Sequence, residues 1–218
     1  MGRPTSGYTL DGKRIPGVTT IISRLKPAGG LIHWAWEQGR DGKDYRETRD
    51  AAANAGTIAH DMVEADIYGA TFDSTQHKPE LIERAAGAFK AYQEWKAQTQ
   101  LQVAEAEVSL ISKQYRFGGT LDALFVRGRL ALGDWKTSNS IYADYLIQLG
   151  AYQILWEENH PDDPIVGGFH LLRFSKQEHP DDPISFAHHY WENLDLAKKQ
   201  FLLYREAFDY DKRLAKLV

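Results

Sequence analysis

The chain has no cysteine. That excludes disulfides, thiolate nucleophiles, cysteine-ligated zinc and iron–sulfur clusters, so any metal must be held by carboxylate, imidazole or carbonyl oxygen. No apolar run approaches the roughly 18 residues of a membrane span, and the first residues lack the apolar core of a secretory signal. A cytoplasmic protein without a membrane partner is expected. No low-complexity tract is present, and neither are an HExxH motif, a phosphate-binding P-loop or a serine-centred elbow. There is also no large charge excess: the net charge of −4 gives no overall attraction to polyanions. Its distribution is uneven, however. Residues 1–49 hold nine Lys and Arg against five Asp and Glu, so the remainder is the acidic part. A basic front beside an acidic core would suit a polyanionic substrate, although solvated surfaces often show such imbalance.

What is there suits one domain, since 218 residues can bury a substantial core. The chemistry concentrates between Gly118 and Thr137, where two strand-like runs flank a turn at Arg127-Gly128-Arg129, each carrying a lone Asp among apolar residues. Burying a carboxylate there costs several kcal/mol unless it is paired or bound to metal. Strand alternation puts Asp134 and Lys136 on one face, with Gly133, Trp135 and Thr137 on the other. If the strands pair about residue 128, Asp122 comes close to Asp134, and the two carboxylates beside an ammonium could hold a hard divalent cation. A buried Asp134–Lys136 salt bridge, or a polar sheet surface facing solvent, explains the same residues, and taken alone they favour that plainer account.

Ahead of this stretch, Tyr8 to Ile22 reads as a short hairpin about Asp11-Gly12 leading into a helix capped by Thr19 or Thr20 and ended by Pro27 and Gly29-Gly30. A second helical segment follows from Leu31 to about Gly39. Its Trp34 could stack on a base, but an aromatic at helical spacing is more often core. From Tyr45 to Tyr68 the pattern is helical and puts Gly56, His60 and Glu64 on one face. His60 could ligate a metal as a neutral imidazole, but a lone helical His is more often a hydrogen-bonded structural residue. Residues 79–98 read as an amphipathic scaffold helix. Leu101 to Ile111 reads as a strand with Glu105 and Glu107 on its outer face, so Glu107 could lie near Asp122. After Thr137-Ser138-Asn139-Ser140, a turn and cap, comes a helix of about 18 residues that lines up Tyr145, Gln148, Tyr152 and Trp156 on one face. The hexapeptide His-Pro-Asp-Asp-Pro-Ile occurs at 160–165 and 179–184, as turn chemistry bracketing a strand at Ile165–Phe174. A further strand ends at His188-His189-Tyr190-Trp191, and residues 194–216 form a terminal amphipathic helix.

This order of elements predicts an α/β fold with a central mixed β-sheet flanked by helices. Gly56-Thr57-Ile58-Ala59-His60, Gly119-Thr120-Leu121-Asp122, Asp134-Trp135-Lys136-Thr137 and Gln148-Leu149-Gly150-Ala151-Tyr152 together resemble the motifs of the PD-(D/E)XK nuclease superfamily. The likeness is to its RecB-like branch, with the phage-type and mitochondrial genome maintenance exonucleases. The resemblance implies a restriction-endonuclease-like core at about 50–190, a DNA-guiding helical N-terminal extension at 1–49 and a C-terminal helix at 194–218, in one nuclease domain. It also implies an Mg²⁺- or Mn²⁺-dependent deoxyribonuclease, an exonuclease of recombination, repair or phage DNA processing, in a bacterium or phage-infected cell. His60, Asp122, Asp134 and the carbonyl of Trp135 would hold the metal, with no iron–sulfur cluster. Lys136 would activate water or offset charge on phosphorus, and Glu107 would be an outer group or second-metal ligand. Gln148 and Tyr152 would line the site, and Thr57, Thr120, Thr137, Trp34, Arg24 and Lys26 would meet DNA, single-stranded or at duplex ends. A recombination or single-strand-binding protein is an expected partner. The competing expectations are a silent DNA-end-binding module and a phosphohydrolase of small molecules.

Overall fold

The structure is a computed structural model that describes residues 7–26, 29–45, 58–175 and 185–217. Five strands form one mixed sheet: β3 (Gln102–Ser112), β4 (Phe117–Val126), β5 (Arg129–Thr137), β6 (Phe169–Phe174) and β7 (Phe186–Trp191), side by side in that order. β5 and β6 run parallel and the other neighbours antiparallel. The parallel step requires a crossover, which α5 (Ala143–Asn159) supplies. A two-stranded hairpin, β1 (Tyr8–Leu10) and β2 (Lys13–Ile15), precedes the sheet. It turns on Asp11 and Gly12, both at positive φ.

Period-two alternation sorts each strand's residues between two cores. On one face Phe117, Leu121, Ala123, Leu132, Phe169 and Leu171 pack under α1 (Val18–Leu25), α5 and α6 (Asp195–Leu214). On the other face Leu124, Val126, Ala131, Trp135, Leu172 and Phe174 pack under α3, described over 58–67, and α4 (Pro79–Thr99). The expected α/β class, a mixed sheet flanked by helices, is borne out. No described helix is long and apolar enough to cross a membrane. α5 and α6 approach closely because Gly150 has no side chain, and a Cβ there would stand 2.7 Å from the Lys198 amide nitrogen.

Several local expectations are corrected. The cap of α1 is Gly17, and Thr19 and Thr20 lie exposed inside the helix. The chain enters α1 pinned to β4, with Gly118 donating its amide to Pro16 O at 3.0 Å, so the helix start needs no hydroxyl cap. Gly29 and Gly30 begin α2 (Gly29–Arg40) instead of ending α1. Glycine is better tolerated there because first-turn amides lack intrahelical partners in any case. No described side chain of α2 belongs to either core cluster. α5 is capped by Tyr142 without a side-chain bond, and Ser138 instead donates its hydroxyl to Ser140 O at 2.9 Å, tightening the preceding turn. β6 starts only at Phe169, because Gly168 at φ +77° turns the chain against the backbone of Trp191. β3 does not alternate regularly, for the ladder shifts between Val103 and Glu105 and again between Glu105 and Val108. The second copy of the His-Pro-Asp-Asp-Pro-Ile repeat lies outside the described residues.

Candidate active site at the fork of β4 and β5

The β4–β5 hairpin turns on two residues, Arg127 and Gly128, at φ 53° and 72°. Positive φ at both central positions marks the tight turn that matches strand twist. Val126 therefore pairs with Arg129, and the register runs back to Asp122 opposite Gly133. A hairpin centred on residue 128 would have paired Asp122 with Asp134. The two-residue turn shifts the ladder by one, so the carboxylates are diagonal neighbours and the pleat sends them toward opposite faces. Pairing between the two strands ends at Asp122 and Gly133, while β5 continues beside β6 through Thr137. The carboxylates sit where the strands fork.

On the α5 side, Asp134 and Lys136 do share a face. Lys136 Nζ lies 2.5 Å from Asp134 Oδ2, with side-chain exposures of 20% and 14%. Asp134 Oδ2 is shut off from solvent, with the Lys136 ammonium pressed against it. Burial pushes the Asp134 carboxyl up, with Lys136 opposing the shift. The Lys136 ammonium also stands 5.5 Å from the centre of the Tyr145 ring. One turn on, Gln148 Nε2 donates to the Tyr152 hydroxyl at 2.5 Å. Burial, followed by the nearby Asp134 charge, raises the Tyr152 phenol, which therefore stays protonated. The face predicted for Tyr145, Gln148 and Tyr152 is real. Trp156 turns into the core and donates its indole N–H to Asp163 O at 2.7 Å.

On the α3 side, two residues of β3, Ala106 and Glu107, bulge out opposite Asp122. Glu107 takes φ 47°, rare for a side chain of its kind, and its amide donates to Asp122 Oδ1 at 2.8 Å. The Tyr68 hydroxyl donates to the same oxygen at 3.3 Å. Burial pushes the Asp122 carboxyl up to about 6, with Asp134 and Glu107 adding repulsion against the two hydrogen bonds. His60 packs edge-on to Trp135, ring centres 6.3 Å apart, and lies 4.0 Å from Glu64. Burial and then the Lys136 charge pull His60 down to about 4, leaving a neutral imidazole at physiological pH. Glu64 is raised by burial and by Glu107.

The remaining candidates divide. Thr120 Oγ1 is engaged at 2.9 Å by both the Tyr8 hydroxyl and Ser109 Oγ. Lys26 pairs with Asp144 in the first turn of α5 at 2.9 Å, beside Tyr145, and Arg24 pairs with Asp211 of α6. Trp34 stands on α2 edge-on to Tyr45, with ring centres 6.3 Å apart. Thr137 ends β5 opposite Phe174. Thr57 lies outside the described residues, as does Gly56. Sequence reasoning missed Tyr68 and Tyr8. Tyr68 extends the face of His60 and Glu64 by one more step of four, a signal that was available. Tyr8 had none, because its ring covers Gly118 across the fold, where a Cβ would come within 2.2 Å.

The donor set suits a hard divalent cation: two carboxylates and a neutral imidazole, with one Asp134 oxygen shut off from solvent beside Lys136. Among the described residues, however, no three His, Asp or Glu side chains are grouped as metal ligands. The one-residue register shift directs Asp122 and Asp134 to opposite faces of the sheet, and Lys136 is the partner of Asp134.

No protein-family model and no curated protein matches the chain. Among solved structures, a candidate exonuclease from Eubacterium rectale is 13% identical over 70% of this chain and 68% of its own, with a TM-score of 0.43. The alkaline exonuclease LHK-Exo from Laribacter hongkongensis is 17% identical over 77% of this chain and 93% of its own, with a TM-score of 0.31. LHK-Exo in complex with dAMP gives 17% identity, 77% and 92% coverage, and a TM-score of 0.29. These likenesses are loose.

Proposed function

We propose that the chain is a divalent-metal-dependent DNA nuclease of the PD-(D/E)XK type, RecB-like branch, hydrolysing phosphodiester bonds as an exonuclease. The observation that carries the reading is the Asp134–Lys136 pair. A mostly buried carboxylate sits against an ammonium, itself mostly buried, at a strand fork. Scaffolds gain little from such a pair, since a buried salt bridge is weak evidence for stability. Perturbed carboxyls gathered at one place also mark functional sites.

His60, Asp122, Asp134 and the Trp135 carbonyl are the residues that would hold Mg²⁺ or Mn²⁺. A bound cation supplies a nucleophile from water at neutral pH and offsets charge on phosphorus. Lys136 contributes a second positive charge beside the reacting phosphate, and Gln148 and Tyr152 offer hydrogen bonds to the substrate backbone. The single-domain organisation, the DNA-guiding role of residues 1–49 and a place in recombination, repair or phage DNA processing belong to the same reading.

The test is a time course on end-labelled single-stranded, blunt duplex and circular DNA with Mg²⁺ or Mn²⁺. Linear DNA should be degraded from its ends, circles spared and EDTA inhibitory. DNA retention without any cleavage would favour the silent end-binding module instead.

A further inference from the structure

The structure assigns Tyr68 as a positioning residue that, with the bulged amide of Glu107, aims the Asp122 carboxylate at its cation; the inference rests on the proposed function. Asp122 Oδ1 accepts two hydrogen bonds from different elements, the Glu107 amide at 2.8 Å and the Tyr68 hydroxyl at 3.3 Å. Two donors on one oxygen hold the carboxylate against rotation, and Oδ2 is the oxygen that neither of them occupies. A ligand carboxylate held in this way is organised before anything binds.

The arrangement depends on three features. The bulge removes Ala106 and Glu107 from the ladder opposite Asp122, so an amide that would have paired with β4 is turned to the side chain. Glu107 occupies a left-handed conformation to do so, at φ 47°. Tyr68 lies just beyond the last turn of α3, with its amide donating to Glu64 O at 3.0 Å, so its ring is carried by the helix that also carries His60 and Glu64. One helix thereby presents an imidazole to the site and a hydroxyl to the opposite carboxylate.

Because 3.3 Å is long for an O–H···O contact, the Glu107 amide is the firmer of the two donors, and losing Tyr68 should matter at the lower end for a residue that orients a ligand. The experiment compares Tyr68→Phe with Tyr92→Phe in the full chain. Tyr92 is a matched control, a buried tyrosine of α4 that donates to Asp66 at 2.8 Å outside the site. Calorimetric titration with Mn²⁺ in the absence of DNA, kcat and KM on end-labelled DNA, and melting temperature are read on each. Tyr68→Phe should weaken Mn²⁺ binding by about tenfold, lower kcat at limiting Mn²⁺ by a similar factor, and leave KM for DNA unchanged. Tyr92→Phe should lower the melting temperature and leave Mn²⁺ binding unchanged. Unaltered Mn²⁺ affinity in Tyr68→Phe, or an equal loss in both variants, would overturn the assignment while the nuclease reading stands. A wild-type chain that neither binds Mn²⁺ nor cleaves DNA would overturn the nuclease reading first.

Discussion

Replacing Lys136 with methionine separates a catalytic pair from a structural one through its pH dependence. In the wild type, burial raises the Asp134 carboxyl and Lys136 holds it down, with Nζ and Oδ2 2.5 Å apart and both side chains at least four-fifths buried. The methionine side chain would fill much of the lysine's volume but leave an uncompensated carboxylate in the fork. Breaking a buried pair from one side costs about 3–5 kcal/mol, and the measured cost is capped because Asp134 can take up a proton instead. The sign follows from linkage. A carboxyl raised in the folded state binds protons there more tightly than in the unfolded chain, so its contribution to stability is greatest at low pH and is lost as pH rises through the folded value. Without Lys136 that value rises further. Lys136→Met should therefore be destabilised by about 3 kcal/mol at pH 8, or about 6–12 °C in melting temperature for a chain of this size, with the loss shrinking toward pH 4. The assay is a set of thermal melts between pH 4 and 8.5, beside DNA cleavage and DNA retention at pH 8 and a temperature well below the melt. Cleavage should vanish and retention persist. A destabilisation independent of pH, or unchanged cleavage, would refute the reasoning.

Other consequences can be checked in the same way. Asp122→Asn removes a carboxyl pushed up to about 6. It should abolish cleavage yet gain about 1–3 kcal/mol at pH 8 and nothing near pH 4, as read by denaturant titration at the two pH values. Gly150→Ala puts a Cβ within 3 Å of the α6 backbone at Ala197 and Lys198, which cannot step aside as a side chain could. A loss of about 2 kcal/mol or more is expected in urea unfolding. His170 and His188 stack with ring nitrogens 2.9 Å apart beside Trp95, and His188 is pulled down to about 4 by burial first and His170 second. A histidine lowered in the folded state contributes stability that is intact above its unfolded pKa and is lost as pH falls. His188→Gln should flatten the acid limb between about pH 6.5 and 4 in thermal melts.

Much of the fold was readable because its signals are local. The apolar spacing of α4, the alternation in β4 and β5 and the polar stripe of α5 all lie within single elements, and the structure keeps them nearly to the residue. The Asp134–Lys136 pairing was equally readable, since residues two apart on a strand must share a face. Glu107 was a weaker inference. Regular alternation gave it an outer face, whereas a bulge delivers its backbone amide, and not only its carboxylate, to Asp122. The resemblance set Arg24 and Lys26 against DNA, but helices far along the chain supply Asp211 and Asp144 to meet them.

By itself the sequence determined which chemistry is possible: no thiol, two aspartates and a lysine on strands, a histidine on a helix, and hydroxyl and amide groups on the crossover helix. It determined the elements as well, because helical and strand periodicities are properties of neighbouring residues. Only the tertiary structure decided how those groups meet. A two-residue turn set the ladder one step from the symmetric pairing, and a bulge in β3 turned an amide onto Asp122. Distant Tyr68 and Tyr8 came to rest on the strands around it. Register, bulge and long-range contact depend on the summed packing of both sheet faces, which no single stretch of sequence contains.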